Sequence, residues 1–116
     1  MASSATATEL SLETRRSTHT IVVATGRVTV DSSPQLRPVL HEAIGTAPPA
    51  GVVINFAAVR YLDTSAIATL LEAAMLASGQ DVPLAVVGLG GEARVVAEAA
   101  ELDRIFLAME HEVQFT

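Results

Sequence analysis

The sequence has 116 residues, which is enough for one domain with a hydrophobic core and too few for two. Its formal charge is −6 and its basic residues are seven scattered arginines, so we expect no direct binding of nucleic acid or of an anionic membrane. Cysteine is absent, which excludes disulfides and cysteine-bound metals. No apolar run reaches the roughly 18 residues that cross a bilayer, so we expect a cytoplasmic protein without membrane insertion.

The first part of the chain predicts a β-hairpin followed by a helix. Residues 1–7 are small and polar, and we expect a disordered tail there. Apolar and polar residues alternate over residues 10–13, and a β-branched run covers residues 20–25, so these segments are expected to pair as two strands. We expect residues 27–30 to continue as an irregular edge. One apolar stripe and an early proline predict an amphipathic helix over residues 34–44.

The middle of the chain predicts a βαβ unit. Residues 51–56 are mostly apolar, as in a buried strand, and residues 83–89 are apolar enough for a strand that is covered on both faces. Between them, apolar residues at spacings of three and four predict a helix that ends near Ser78. The two strands are expected to pair in parallel. The apolar face of this helix is predicted to contain Ile67, Leu70, Leu71, Ala74 and Met75, with Leu76 off the stripe as a possible exposed apolar residue.

A third helix is expected over residues 92–100 and a last short strand over residues 103–109. The element order is therefore ββαβαβαβ. This order predicts an α/β fold in which one mixed sheet is covered by two to four helices.

The turn that follows the central strand carries the candidate site. Residues 59–62 end an apolar run, and Asp63, Thr64 and Ser65 then begin the helix. A helix N-terminus offers four free backbone N–H groups and the positive end of the helix dipole, which suits a capping side chain or a phosphate. The cluster is therefore either a set of helix-capping residues or a functional site. Thr64 falls at the first helical position, where a hydroxyl is expected to be exposed.

Three segments resemble the STAS domain family, whose type members are bacterial anti-sigma factor antagonists. Residues 53–67 read VINFAAVRYLDTSAI, similar to the family's apolar strand and its Asp-Ser-Ser/Thr-Gly-Leu helix start. Residues 83–88 resemble the family's next strand, and residues 100–106, AELDRIF, resemble its Gly-Leu-Asp-x-x-Phe close. The resemblance covers residues 8–113, so we expect one STAS-like domain over that range.

The resemblance implies a function in regulated protein–protein binding. In that family a partner serine kinase with an ATPase-type fold, which is also the anti-sigma factor, phosphorylates the hydroxyl after the aspartate. That hydroxyl is Thr64 here, with Ser65 as a secondary candidate. The partner surface would comprise Asp63, Thr64, Ser65, Ala66 and Arg60, and a phosphatase is a possible further partner. No catalysis, cofactor or metal is implied.

The sequence departs from the family's usual residues at three positions. Asn55 stands in place of an aspartate, Thr29 in place of an acidic residue, and Ala66 in place of a glycine. The alternative interpretation is a constitutive STAS subunit of an assembly such as a lipid-transport ATPase or a stress-signalling complex. In that case Thr64 would be a fixed contact and would never be modified.

Other site types have weaker support. His19, His41 and His111 lack the paired spacing of a zinc site, and no Gly-x-Ser-x-Gly elbow supports a hydrolase. Residues 88–91 are rich in glycine, but they lack the spacing of a dinucleotide fingerprint and the Gly-Lys-Ser/Thr of a P-loop. A phosphoreceiver domain typically uses a lysine, which the sequence does not contain.

Overall fold

The computed structural model describes residues 9–90 as alternating strands and helices. The elements are β1 (Leu10–Arg16), β2 (Thr20–Val28), α1 (Ser33–Gly45), β3 (Val52–Leu62), α2 (Thr64–Gly79) and β4 (Leu84–Val87). They form one sheet in the order β1-β2-β3-β4, with β1 antiparallel to β2 and the other neighbours parallel. The predicted hairpin, βαβ unit and α/β fold class are confirmed. The predictions for residues 1–7, 92–100 and 103–109 lie outside the described residues.

The two central strands, β2 and β3, are longer than the sequence predicted. β2 continues through Arg27 and Val28, which pair with Tyr61 and Leu62 of β3. The prediction of an irregular edge at residues 27–30 is therefore partly wrong, because Arg27 and Val28 continue β2, although the pairing with β3 shifts register between Gly26 and Arg27. The expected strand end at residue 56 is also wrong, since pairing with β2 carries β3 to Leu62. Such pairing overrides the weak strand propensity of neighbouring alanines.

β3 is irregular in its second half. Its pairing with β2 shifts register twice, and Arg60 lies between Val59 and Tyr61, which pair with the consecutive residues Gly26 and Arg27. The side chain of Asn55 accepts a hydrogen bond of 2.8 Å from the backbone N–H of Ala57. These β-bulges change the direction of side chains just before the turn to α2.

Much of the core among residues 9–90 lies between one face of the sheet and the helices α1 and α2. The α1 stripe is confirmed, since Leu36, Leu40, Ala43 and Ile44 are buried and Val39 is partly buried against them. Sheet residues complete this core, and the largest fully buried ones are Leu10, Val22, Val28, Val52, Ile54 and Phe56.

The predicted apolar face of α2 is partly wrong. Ile67 and Leu70 are buried, but Leu71 is 37% and Met75 is 68% exposed. Small side chains, at Ala73 and Ala77, fill the buried side instead. Alanine fits a buried or an exposed helix face, so the sequence pattern does not fix the orientation of an alanine-rich helix. Leu76 packs against the core.

Gly26 is required where β1 approaches β2. Its φ of +114° is unfavourable for other residues, and a Cβ there would lie 2.3 Å from the carbonyl oxygen of Glu9. The backbone N–H of Arg27 donates a hydrogen bond of 2.9 Å to the same carbonyl. The glycine thus lets the start of β1 lie against the end of β2.

We expect Gly26→Ala to lower the free energy of unfolding by about 2–4 kcal/mol, because it adds backbone strain and a steric clash. Gly45→Ala is the matched control, since Gly45 lies in α1 and a Cβ there would meet nothing within 4 Å. The control should retain or slightly raise stability. Urea unfolding of both variants measures the difference, and equal stabilities would contradict the close approach at Gly26.

Candidate functional site

Asp63 is the N-cap of α2. Its Oδ1 accepts hydrogen bonds from the backbone N–H groups of Ser65, at 2.9 Å, and Ala66, at 3.4 Å. The Ser65 hydroxyl donates to the same oxygen at 2.5 Å. The capping interpretation of the cluster is therefore correct for Asp63.

The other oxygen of Asp63 binds a second part of the chain. Its Oδ2 accepts a hydrogen bond of 3.0 Å from the backbone N–H of Val30, in the loop between β2 and α1. The backbone N–H of Asp63 in turn donates to the carbonyl of Val28 at 3.2 Å. One carboxylate thus joins the loop over residues 29–32 to the first turn of α2.

These contacts fix the charge of Asp63. Burial raises the pKa of this carboxyl, but the hydrogen bonds from the Ser65 hydroxyl and from the amides of Val30, Ser65 and Ala66 outweigh burial, and the pKa lies below its usual range. Asp63 is therefore ionised at neutral pH. A negative charge at a helix N-terminus also interacts favourably with the helix dipole.

Ser65 lies inside this network. Its hydroxyl lies 2.7 Å from the hydroxyl of Ser33, which donates a hydrogen bond of 2.6 Å to the carbonyl of Thr29. Ser65 therefore connects the beginnings of α1 and α2. Phosphorylation of Ser65, the secondary candidate acceptor, would require these contacts to break.

Thr64 differs from both of its neighbours. It is the first residue of α2, it is exposed, and no side chain among residues 9–90 hydrogen-bonds to its hydroxyl. The geometry thus separates adjacent hydroxyl groups, with Ser65 bound inside and Thr64 open to solvent. A kinase could reach the Thr64 oxygen without disturbing the cap.

The two remaining predicted site residues, Arg60 and Ala66, differ in their exposure to solvent. Arg60 is exposed at a β-bulge of β3, three residues before the cap. Ala66 is 0% exposed and belongs to the core, so its side chain is not available to a partner. We therefore remove Ala66 from the candidate surface.

An exposed stripe continues from Thr64 along α2. Ala68, Leu71 and Met75 are exposed, and with Thr64 they follow the spacing of one helix face. Val30, beside the same turn, is 68% exposed. We call Val30, Thr64, Ala68, Leu71 and Met75 the α2 surface.

Sequence reasoning missed Val30, Ser33 and Glu9. The Glu9 carboxylate accepts a hydrogen bond of 2.6 Å from the hydroxyl of Thr29, in the same loop as Val30. The only local signal is the run of small polar residues at positions 31–33, at the start of α1. Nothing in the local pattern connects that run to residues 63–65.

The described part of the chain provides no sign of two other site types. Residues 9–90 contain no group of three or more histidine, aspartate or glutamate side chains placed to hold a metal ion. Neither α1 nor α2 is long and apolar enough to cross a membrane.

The sequence matches the family model of the STAS domain over residues 9–115. Because this match covers nearly the whole chain, the protein belongs to the STAS domain family, and the resemblance is confirmed. No curated protein matches the sequence.

Solved structures show the same fold. An anti-sigma factor antagonist from Mycobacterium paratuberculosis aligns with a TM-score of 0.74 and 20% identity, over 84% of this chain and 82% of that chain. The anti-sigma factor antagonist SpoIIAA in its unphosphorylated form aligns with a TM-score of 0.62 and 17% identity, over 77% of this chain and 81% of that chain. The Bacillus cell fate determinant SpoIIAA in its phosphorylated form aligns with a TM-score of 0.66 and 16% identity, over 84% of this chain and 87% of that chain. Identities this low show a shared fold alone.

We expect Asp63→Ala to lower the free energy of unfolding by about 2 kcal/mol at pH 7, through the lost cap and the lost contact to Val30. Folding lowers the pKa of Asp63, so the ionised carboxylate stabilises the fold fully above its ordinary pKa of 3.8. That contribution disappears as the pH falls through the lower folded-state pKa, and the two proteins should converge in stability.

Denaturant unfolding at pH 7, 5 and 3 measures this convergence. Asp31→Ala is the matched control, because it removes an exposed carboxylate from the same region and should change stability by less than about 0.5 kcal/mol. An Asp63→Ala loss as large at pH 3 as at pH 7 would show that the charge is not responsible.

Proposed function

We propose that this protein is an anti-sigma factor antagonist whose binding to a partner is controlled by phosphorylation of Thr64. The proposal depends on one observation, the exposed Thr64 hydroxyl next to the bound Ser65 hydroxyl. The partner is a serine kinase with an ATPase-type fold that is also the anti-sigma factor, and a phosphatase reverses the modification. The protein acts in the cytoplasm as a regulated binding surface and not as an enzyme.

The position of Thr64 explains how a phosphate would act. Phosphorylation adds about −1.5 to −2 charges. At the first residue of α2 the positive end of the helix dipole tolerates that charge, so the domain remains folded. The same charge would stand at one end of the apolar residues Leu71 and Met75, where a partner would have to desolvate it. Phosphorylation therefore weakens docking without unfolding the domain.

The α2 surface suits a protein partner. Two of its residues, Val30 and Met75, have large apolar side chains that are 68% exposed, and Leu71 lies between Thr64 and Met75. Exposed apolar residues that follow one helix face, as Leu71 and Met75 do, are typical of protein-binding sites. Arg60, three residues before the cap, is exposed and supplies a positive charge.

We expect the partner kinase and ATP to add one phosphate to the wild-type protein and none to Thr64→Ala, because the exposed hydroxyl is the acceptor. Ser65→Ala is the matched control, and it should still accept one phosphate. Intact-protein mass spectrometry followed by peptide mapping measures the result. A phosphate on Thr64→Ala, or no phosphate on the wild type, would contradict the assignment.

A further variant separates the switch from a constitutive subunit. Thr64→Val keeps the shape of the side chain and removes the hydroxyl. A subunit in which Thr64 is never modified would keep its full function in the Thr64→Val strain. A switch would lose its regulation and remain bound to the partner.

We expect Met75→Glu to weaken binding of the partner about tenfold or more, because a charge replaces an exposed apolar contact. Stability should change little, since the side chain is mostly exposed. Thr18→Glu is the control, because Thr18 is exposed at the hairpin turn between β1 and β2, at the opposite end of β2 from Asp63. Calorimetric titration measures both affinities, and equal affinities would exclude Met75 from the docking surface.

A further inference from the structure

Glu9 reaches the site from the start of β1. Its backbone is held against β2 by the close approach at Gly26 and by the hydrogen bond from the N–H of Arg27. Its carboxylate accepts a hydrogen bond of 2.6 Å from the Thr29 hydroxyl. Backbone and side chain of Glu9 are therefore both fixed.

Thr29 is the residue through which Glu9 acts on the loop. It is 8% exposed, and all of its polar groups are bound. Its hydroxyl also accepts the N–H of Asp31 at 3.1 Å, and its own N–H donates to the Ser32 hydroxyl at 2.9 Å. Its carbonyl accepts from the N–H groups of Ser32 and Ser33 and from the Ser33 hydroxyl. Between these contacts the backbone N–H of Val30 points to Asp63.

We infer that Glu9 is a positioning residue for the Thr64 site: through Thr29 it holds residues 29–32 in the conformation in which the N–H of Val30 binds Asp63. Its relevance to phosphorylation depends on the proposed function. Glu9 thereby fixes the place of Val30 on the α2 surface.

The charges around Glu9 fit this role. The Thr29 hydroxyl, together with Ser32, lowers the pKa of Glu9, so the carboxylate is ionised at neutral pH and its bond to Thr29 is charge-assisted. Asp63 acts in the opposite direction through like-charge repulsion, and Arg27 favours the ionised form. The Arg27 guanidinium itself lies over the ring of Tyr61, 4.6 Å from its centre. The hydroxyl of Thr29 is therefore the main partner of this carboxylate.

The first test needs no partner. Hydrogen exchange of the Val30 amide, followed by NMR, should be about tenfold faster or more in Glu9→Ala, which loses one charge-assisted hydrogen bond. Glu9→Gln keeps a neutral acceptor for Thr29 and should fall between wild type and Glu9→Ala, whereas Thr29→Ser, which keeps the hydroxyl, should stay close to wild type. Glu13→Ala removes an exposed carboxylate from β1; it is the matched control and should not change Val30 exchange.

A thermodynamic cycle separates this role from general destabilisation. Thr29→Val removes the donor of the same bond, so adding Glu9→Ala to Thr29→Val should cause no further acceleration of Val30 exchange. Additive effects, or unchanged exchange in Glu9→Ala, would overturn the inference.

The second test links the loop to phosphorylation. The rate at which the partner kinase modifies Thr64 should fall about tenfold in Glu9→Ala and less than about threefold in Glu9→Gln. If Glu9→Gln loses as much as Glu9→Ala while Val30 exchange stays normal, Glu9 contacts the kinase through its charge and the positioning role is wrong. If Val30 responds as expected but no variant, wild type included, is phosphorylated, the positioning of the loop stands and the proposed function fails.

Discussion

The carboxylate of Asp63 joins two segments that are 33 residues apart in the sequence. One oxygen caps α2 and the other binds the backbone of the loop between β2 and α1. Neither interaction is unusual alone, since caps of this kind are common. Their combination on one side chain means that the loop and the helix take their positions from the same charged group. The candidate acceptor, Thr64, is the residue next to this group.

The sheet explains why these segments meet. β2 and β3 are parallel neighbours, so their carboxyl ends lie at one edge, and the loops that leave them begin side by side. The chain then enters α1 from one loop and α2 from the other, so two helix N-termini lie at that edge. The hydroxyls of Ser33 and Ser65 lie 2.7 Å apart there. The bulges of β3 lie just before this point and expose Arg60. Sheet topology therefore creates the site, and the side chains complete it.

The sequence predicted what depends on short spacing. The hydroxyl turn before α2, the apolar stripe of α1 and the βαβ unit all follow from residues within one or two turns or strands of each other. The orientation of α2 could not be predicted in the same way, because alanines such as Ala73 and Ala77 do not distinguish a buried helix face from an exposed one. The contacts of Glu9 and Val30 could not be predicted from the sequence for a different reason. Their contacts to Thr29 and Asp63 depend on which strands are neighbours, and no local pattern specifies that.

The Ser65 hydroxyl has a structural role, and the proposed function assigns a signalling role to the adjacent Thr64 hydroxyl. A phosphate on Ser65 would have to displace its contacts to Asp63 and Ser33, and both helix starts would lose part of their support. A phosphate on Thr64 would displace no hydrogen bond among the described residues. It would add charge to a surface whose apolar residues stay in place. In the proposed function, a phosphate on Thr64 would therefore change the charge of the α2 surface without breaking the hydrogen bonds of the cap at Asp63.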